Sequence, residues 1–521
     1  MCAGCPDHGF MSGRPTESLL VFAACLSIYG ALPTVNYYWD GLIYADFLER
    51  ADTFGPALFH PNHLIYNFVG FLIFRLFHNL AFSDRALFAL QYLSIFFASA
   101  AVAIFYLICR RFFVSVYLSL TVTGILAFAA SWWRFATDAN VYVISIAFLL
   151  LSFFFLVDTP PKPVLAAISF FGALLFHELA VLFLPAGCLA LWLAEVEQDS
   201  RKRIRNIAVF ALLPAALIIL SYLSAFYSIS GGLDAGAFGK WTTSFADAAR
   251  HGPEAISAFF WFFKGTRQLF IDGSVNLLDG GLASWTLFLL FCAAACLLLV
   301  SLVSVRSSII RLFSDREWLK DVDRFLLAVC AAWVVPYICF FFLFEPQNTF
   351  YRLFYLPALV LIVGVALSSA TRNSRYSFIR ALFVLVFALY NLVFYIYPNS
   401  YPRSGTVLAL ALDANRVWDE KTSVCYELEG STDAGIREVI YFNRAVTWLP
   451  VDSLTLEDIQ ARFPAIYADN GTVWFEDNAL RQIESDPERL AALASRYIAD
   501  PGTELAVPKH GILFRKLEPR R

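Results

Sequence analysis

Long apolar stretches alternate with short polar ones over the first four hundred positions of this chain. Apolar runs fall near 18–35, 86–108, 112–130, 140–157, 163–177, 178–194, 206–228, 281–304, 323–344, 352–370 and 377–397. An α-helix needs ~20 residues to cross a bilayer core of about 30 Å, and the pattern predicts eleven such helices. A twelfth stretch, Leu64 to Phe77, is short and interrupted by Asn67 and Arg75.

Charge orients the runs. With the N-terminus in the cytoplasm, the inner loops hold Arg110 and Arg111, Lys162, Arg201 to Arg205, Arg306 to Lys320, and Arg372 with Arg375. That arrangement satisfies the positive-inside rule. The long outer loops, 36–85 and 229–280, carry few basic residues for their length. A crossing at 64–77 would put the basic loops 201–205 and 306–320 outside, so 64–77 is expected to lie in the outer interface. Runs 163–177 and 178–194 share a junction at His177-Glu178. They are either two short spans or one long helix, and the second alternative inverts everything downstream. The first run is too long for the apolar part of a signal peptide and is expected to stay as a span.

After residue 398 the pattern changes. The stretch 399–521 holds 19 of the chain's 42 acidic residues and no apolar run of spanning length, so water is its expected solvent. The expected organisation is a membrane module over 1–398 and a small α/β extracytoplasmic domain over 399–521, placed outside by the odd number of spans. Val439-Ile440-Tyr441-Phe442 and Thr472-Val473-Trp474-Phe475 read as strands, and Pro487 to Arg496 as an amphipathic helix.

Composition agrees with a polytopic all-α membrane protein. Of 521 residues, 59% are hydrophobic and 16% charged, against about 25% charged in soluble domains; mean hydropathy is +0.63. The net charge of −3 points to no nucleic-acid partner. Most of the ten cysteines sit in apolar runs and act as small hydrophobes. Cys425 is alone after residue 400, so that region has no internal disulfide. Cys2 and Cys5 with His8 have metal-like spacing but no second pair, and read as a tail.

Three outer loops carry polar residues that packing does not ask for. The first runs Tyr37-Tyr38-Trp39-Asp40 to Asp46, Glu49 and Asp52, then His60-Pro61-Asn62-His63. Asp40 follows a run of aromatic residues, a setting expected to exclude water and tune a carboxyl for general-base work; the same position suits a helix N-cap. His60 and His63 fit a divalent metal together with one carboxylate, hydrogen bonds to a phosphate, or an anchor for the interfacial helix. Pro61 suits the first turn of that helix. The second loop holds Arg134 and Asp138, read as an exposed ion pair or as a phosphate-binding arginine oriented by its acid. The third runs Glu345 to Arg352, where Tyr351 and Arg352 face either a snorkelling role or a phosphate. Lys264 and Arg267 are further candidates. Glu178, at membrane depth, would cost roughly 2.5–3.5 kcal/mol and so asks for a function.

These residues resemble the GT-C superfamily of integral-membrane glycosyltransferases, above all the bacterial members that use polyprenyl-phosphate sugars. Asp40-Gly41-Leu42-Ile43-Tyr44 supplies the family's loop Asp and Tyr at matching spacing, and His60-Pro61 stands where its His-Pro element opens a juxtamembrane helix. Asp138 occupies the place of the second acid. Gly41 replaces the usual acidic neighbour and there is no Asp-x-Asp, which weakens a metal-dependent reading and leaves open a metal-independent route with Asp40 alone as base, a divalent metal staying the alternative.

The resemblance implies a multi-pass protein of the cell inner membrane that transfers a sugar, with inversion, at the periplasmic face. The donor is a polyprenyl-phosphate monosaccharide and the acceptor a glycan, lipid or protein hydroxyl. Tyr44, Asp46, His60, His63, Arg134, Asp138, Glu178, Tyr351 and Arg352 would surround the substrates. The alternatives are a transporter or flippase of lipid-linked glycans and a non-catalytic scaffold.

Overall fold

The computed structural model describes residues 14–51, 53–194, 200–244, 255–273, 281–304, 321–343, 348–368, 375–401, 406–428 and 433–520. Cys2, Cys5, Asp52, the basic loop 306–320, Glu345 to Gln347 and Arg372 lie outside the described residues. The chain forms two compact units. One comprises Met1–Pro33 and Leu48–Pro398, the other Thr34–Phe47 and Asn399–Arg521.

The first unit is helical. In chain order its helices are α1 (Arg14–Ala31), α2 (Trp39–Arg50, shared with the second unit), α3 (Tyr66–Asn79), α4 (Ala86–Phe112), α5 (Val116–Ala127), α6 (Ala130–Ala136), α7 (Tyr142–Leu156), α8 (Pro163–Phe176), α9 (Leu184–Ala194), α10 (Ser200–Ser230), α11 (Ala235–Thr243), α12 (Ala255–Phe270), α13 (Gly281–Ser304), α14 (Asp321–Leu343), α15 (Leu356–Ser368) and α16 (Arg375–Asn391). Among the described residues, four stretches are long and apolar enough to cross a membrane: Ala86–Phe112, Ser200–Ser230, Arg324–Phe342 and Phe378–Ser400. The pair α5 and α6 passes the same test but is bent by 68°, and the remaining apolar runs form shorter apolar helices.

Side-chain chemistry distinguishes the two ends of α4, α7 and α8. α1 runs antiparallel to α4: Ser18 donates to the Ala103 carbonyl, and Glu17 accepts from Tyr106 and Arg110 at 2.6 and 3.2 Å. Arg111 pairs with Asp158 at 3.0 Å and Lys162 with the same acid at 2.7 Å. The loops expected inside therefore meet at one end. The other end begins at Tyr142, one length of α7 away, about 22 Å at 1.5 Å per residue.

The run 163–194 breaks at His177, whose φ of −158° and ψ of 128° are extended, and resumes as a 3₁₀ turn, Glu178–Phe183. Phe210 stacks on Phe170 of α8 and lies over Gly187 of α9, while Tyr222 lies near Glu178. With respect to α10, α9 thus runs back alongside α8, and the chain reverses at His177. One sequence expectation gives way nearby. Pro61 does not open α3. Successive turns, His63 N to His60 O and Tyr66 N to His63 O, precede it. The Asn62 carbonyl is taken by the Glu178 amide and the Ile65 amide by Leu175, so this backbone is tied to the end of α8.

The second unit is built on a five-stranded sheet in the order β2-β1-β3-β5-β4. The strands are β1 (Thr422–Tyr426), β2 (Thr447–Pro450), β3 (Thr472–Glu476), β4 (Tyr497–Val507) and β5 (Ile512–Pro519). β1 is parallel to β2 and β3, whereas β5 is antiparallel to β3 and β4. Alternation sends Val424, Trp474 and Phe514 to one core with the helix Val407–Val417. Cys425, Val473, Phe475 and Leu517 go to the other core, with Phe463, Ile483 and Leu493. Helices cover both faces, so the strands read as continuous apolar runs. The expected helix Pro487–Arg496 and the strand at 472–475 are present. Val439–Phe442, expected as a strand, is instead the end of the helix Asp433–Phe442. A four-residue apolar run carries no decisive period, and here Ile436, Val439 and Tyr441 are buried on a helical spacing.

Gly187 marks a close approach. A Cβ there would collide with the Phe210 ring, whereas one at Gly232 meets nothing within 4 Å. Gly187→Ala should destabilise the helical unit by roughly 1–3 kcal/mol, read as a lower thermal midpoint in detergent. Gly232→Ala serves as the unchanged control, and equal midpoints would refute the packing.

Candidate functional site

The break at His177 gathers several side chains. His60 and His63 stack, with ring centroids 3.9 Å apart and planes at 17°. His177 lies 5.2 Å from Tyr142, 5.6 Å from Tyr351 and 5.4 Å from Phe354. Its Nδ1 accepts from the Leu179 amide and caps the 3₁₀ turn. The Tyr222 hydroxyl donates to the Pro61 carbonyl. His63 and His177 are buried, while Glu178 is exposed at the break.

Burial pushes His60 down to about 4. His63 is also pushed down, by burial first and then by His60 and His177. Neutral imidazoles suit hydrogen bonding to hydroxyls or to phosphate oxygen. The pair does not suit a metal: the rings present faces to one another, and His60 Nδ1 already accepts from the Asn62 amide at 3.3 Å. Among the described residues, no group of three or more His, Cys, Asp or Glu is placed to hold one.

A second polar centre fills the turn between α6 and α7. Arg134 Nη1 donates to Asp138 Oδ2 at 2.8 Å, and Asp138 is fully buried. The exposed pair considered from sequence is thus a buried one, where losing one partner costs roughly 3–5 kcal/mol. Asn140 accepts from the Tyr142 and Val143 amides and so starts α7. Gln91 donates to the Thr137 carbonyl, and Ser94 to that of Asn140.

Arg352 is a third centre. It is fully buried, so the snorkelling reading fails. Its guanidinium lies over Phe262 and Phe341, at 4.5 and 4.9 Å from the ring centroids, and donates to Tyr355 at 2.8 Å and Thr266 at 3.1 Å. The sequence cannot show this, because Phe262 and Thr266 come from α12, far along the chain. Lys264 on α12 lies over Trp261 instead. Rings connect the centres: Phe135 touches Phe350 at 5.9 Å, Phe350 stacks on Tyr142 at 4.9 Å, and Tyr351 meets His177. Stretches near residues 60, 135–142, 177 and 350 therefore converge in one unit.

Asp40, Tyr44 and Asp46 belong to the other unit. Asp40 lies in the first turn of α2, where the helix dipole favours an acid. Asp46 accepts from Arg444 at 2.7 Å. Sequence reasoning missed Tyr142, Tyr222 and Arg444. Tyr142 sits two residues beyond the marked loop that ends at Asn140, while Tyr222, inside an apolar run, and Arg444 carry no signal.

No family model matches the chain, and no curated protein matches it. Among solved structures it is similar to ArnT from Cupriavidus metallidurans in the apo state, at 12% identity and a TM-score of 0.42, over 97% of this chain and 98% of that one. It is also similar to ArnT from the same organism bound to undecaprenyl phosphate, at 12% identity and a TM-score of 0.38, over 98% of both chains.

The position of His60 at about 4 sets a pH dependence. An unfolded histidine titrates near ~6.5, so the unfolded chain takes up this proton first. The stability held by neutral His60 is complete above that pH and is lost as pH falls towards 4. His60→Asn keeps an acceptor for the Asn62 amide and removes the titration. Its thermal midpoint should fall less than that of the wild type between pH 6.5 and 4.5; equal falls would refute the assignment.

Proposed function

We propose that this protein is a membrane glycosyltransferase that moves a sugar from a polyprenyl phosphate to an acceptor hydroxyl. In this reading the reaction takes place at the outer, periplasmic face of the inner membrane, with the N-terminus cytoplasmic and residues 399–521 outside. The observation that carries it is the convergence of four chain-distant stretches, with neutral imidazoles and a buried arginine at the end of α7 away from the Arg111–Asp158 pair.

Asp40 takes the proton of the acceptor hydroxyl. The freed oxygen bonds to the anomeric carbon as the bond from that carbon to the phosphate oxygen breaks, and the electron pair leaves with the lipid phosphate. One displacement through an oxocarbenium-like state inverts the centre. Arg134 and Arg352 stabilise the departing phosphate, a preorganised role that suits their ordered guanidinium groups. Asp138 orients Arg134, His60, His63 and Glu178 hold sugar hydroxyls, and Tyr44 and Tyr351 complete the lining. No step is routed through a metal. One of the similar solved structures holds undecaprenyl phosphate, a lipid of the class proposed here; the proposal rests on this chain's own residues.

One observation favours a second reading. α5 and α6 form an apolar pair bent by 68°, with Arg134 on the second half. Broken spans of this kind line the sites of transporters, here one for a lipid-linked glycan.

Protein in nanodiscs given radiolabelled polyprenyl-phosphate sugars should release free lipid phosphate. Asp40→Asn should lower that rate by about 10²-fold or more while the thermal midpoint holds. Retained activity would remove Asp40 as the base. No consumption across a donor panel, with flipping of a fluorescent lipid-linked sugar, would establish transport instead.

A further inference from the structure

The stretch Thr34–Phe47 lies in an outer loop by sequence, yet it packs as part of the sheet-bearing unit. Val35 donates from its amide to the Asn399 carbonyl at 2.7 Å. Thr34 Oγ1 donates to the same oxygen at 3.1 Å, and Asn36 Nδ2 to Asn399 Oδ1 at 2.9 Å. The Tyr37 ring, itself buried, lies 5.9 Å from Phe442. These contacts hold the chain just before α2. On the far side of Asp40, along the same helix, Asp46 meets Arg444 at 2.7 Å. The Arg444 guanidinium is in turn set over the buried Tyr441 ring at 4.9 Å. Both members of the pair are partly buried, with side-chain exposures of 28% and 29%.

Asp40 therefore lies between two anchorages, both on the sheet-bearing unit. The last turn of α2 is held as well, with Glu49 accepting from the Ala86 amide at 2.7 Å; the Asp46–Arg444 pair fixes the helix between its ends, and its loss would let the carboxylate on the first turn shift by a distance that matters for proton abstraction. A displacement near 1 Å can cost about 10²-fold in rate. We propose that Arg444 is a positioning residue: by pinning Asp46 it fixes the orientation of α2 and so the place of Asp40. The inference rests on the glycosyltransferase reading, and it gives Asp46 a part in holding the helix.

The test uses the full-length protein in nanodiscs, as wild type, Arg444→Ala, Arg444→Lys, and the swap of Asp46→Arg with Arg444→Asp. Hydrogen exchange of amides 39–47 is measured without substrate, and kcat and donor KM are measured with it. Arg444→Ala should speed that exchange about tenfold and lower kcat about tenfold or more, with donor KM within about twofold. The swap should recover both toward wild type, and Arg444→Lys should lie between. Arg416→Ala, which breaks an exposed pair with Asp413 in the same unit, should change neither. Wild-type exchange in Arg444→Ala overturns the proposal, as does faster exchange with unchanged kcat, or a swap no better than the single change. If Arg444→Ala does not fold, Arg444→Lys and the swap carry the same comparisons. If the wild type transfers no sugar, the glycosyltransferase reading fails by itself, and the exchange data alone decide whether Arg444 holds the helix.

Discussion

Between Phe128 and Val141 the chain leaves the α-helix twice in a buried region, and each peptide group freed there needs a partner. In an apolar setting an unmet backbone group costs several kcal/mol. Side chains from distant helices supply the partners. Asn391 donates to the Phe128 carbonyl, Gln91 to Thr137 and Ser94 to Asn140, and Asn140 itself starts α7. The placement of Arg134, the direction of α7 and the contact of Tyr142 with His177 all follow from this knot. Buried polar networks of this sort are costly when half satisfied and specifying when complete.

The aromatic residues serve two ends. A Phe-rich membrane chain has them for lipid contact, and many here do remain exposed, Phe259, Phe260 and Phe263 on α12 among them. A smaller set turns inward and links charged groups. Arg352 between Phe262 and Phe341 is the clearest case: quadrupoles replace part of its lost hydration while Tyr355 and Thr266 take hydrogen bonds. That solution holds a cation in a fixed orientation.

The helical elements were legible because a run of twenty apolar residues has few other fates. The break at His177 was visible as a junction, and only the contacts of α10 with both halves decided its geometry. The short run Val439–Phe442 was misread because four apolar residues suit a strand or a helix turn, and burial on Ile436 and Tyr441 settled it as helix. Arg134 and Arg352 were recognisable as candidates, but their burial was not, since the groups that cover them come from elsewhere in the chain. Asp40 stood out through its aromatic neighbours. Arg444 did not stand out at all: one arginine among many in a polar stretch acquires meaning only from Asp46, and pairing across such a separation leaves no mark in a single sequence.

The membership of Thr34–Phe47 in the sheet-bearing unit also constrains the order in which the protein is made. Thr34 and Asn399 are 365 residues apart and bonded directly. At 5–20 residues per second, roughly 20–70 s separate the synthesis of the two. Throughout that interval Tyr37 and Asp46 exist without the surface that receives them, while the intervening spans are inserted. The loop carrying Asp40 is made long before its native partners and waits for them. A nascent chain therefore has its helical body before it has an ordered Asp40 loop, and a truncated product would keep the spans and lack the partners that hold Asp40.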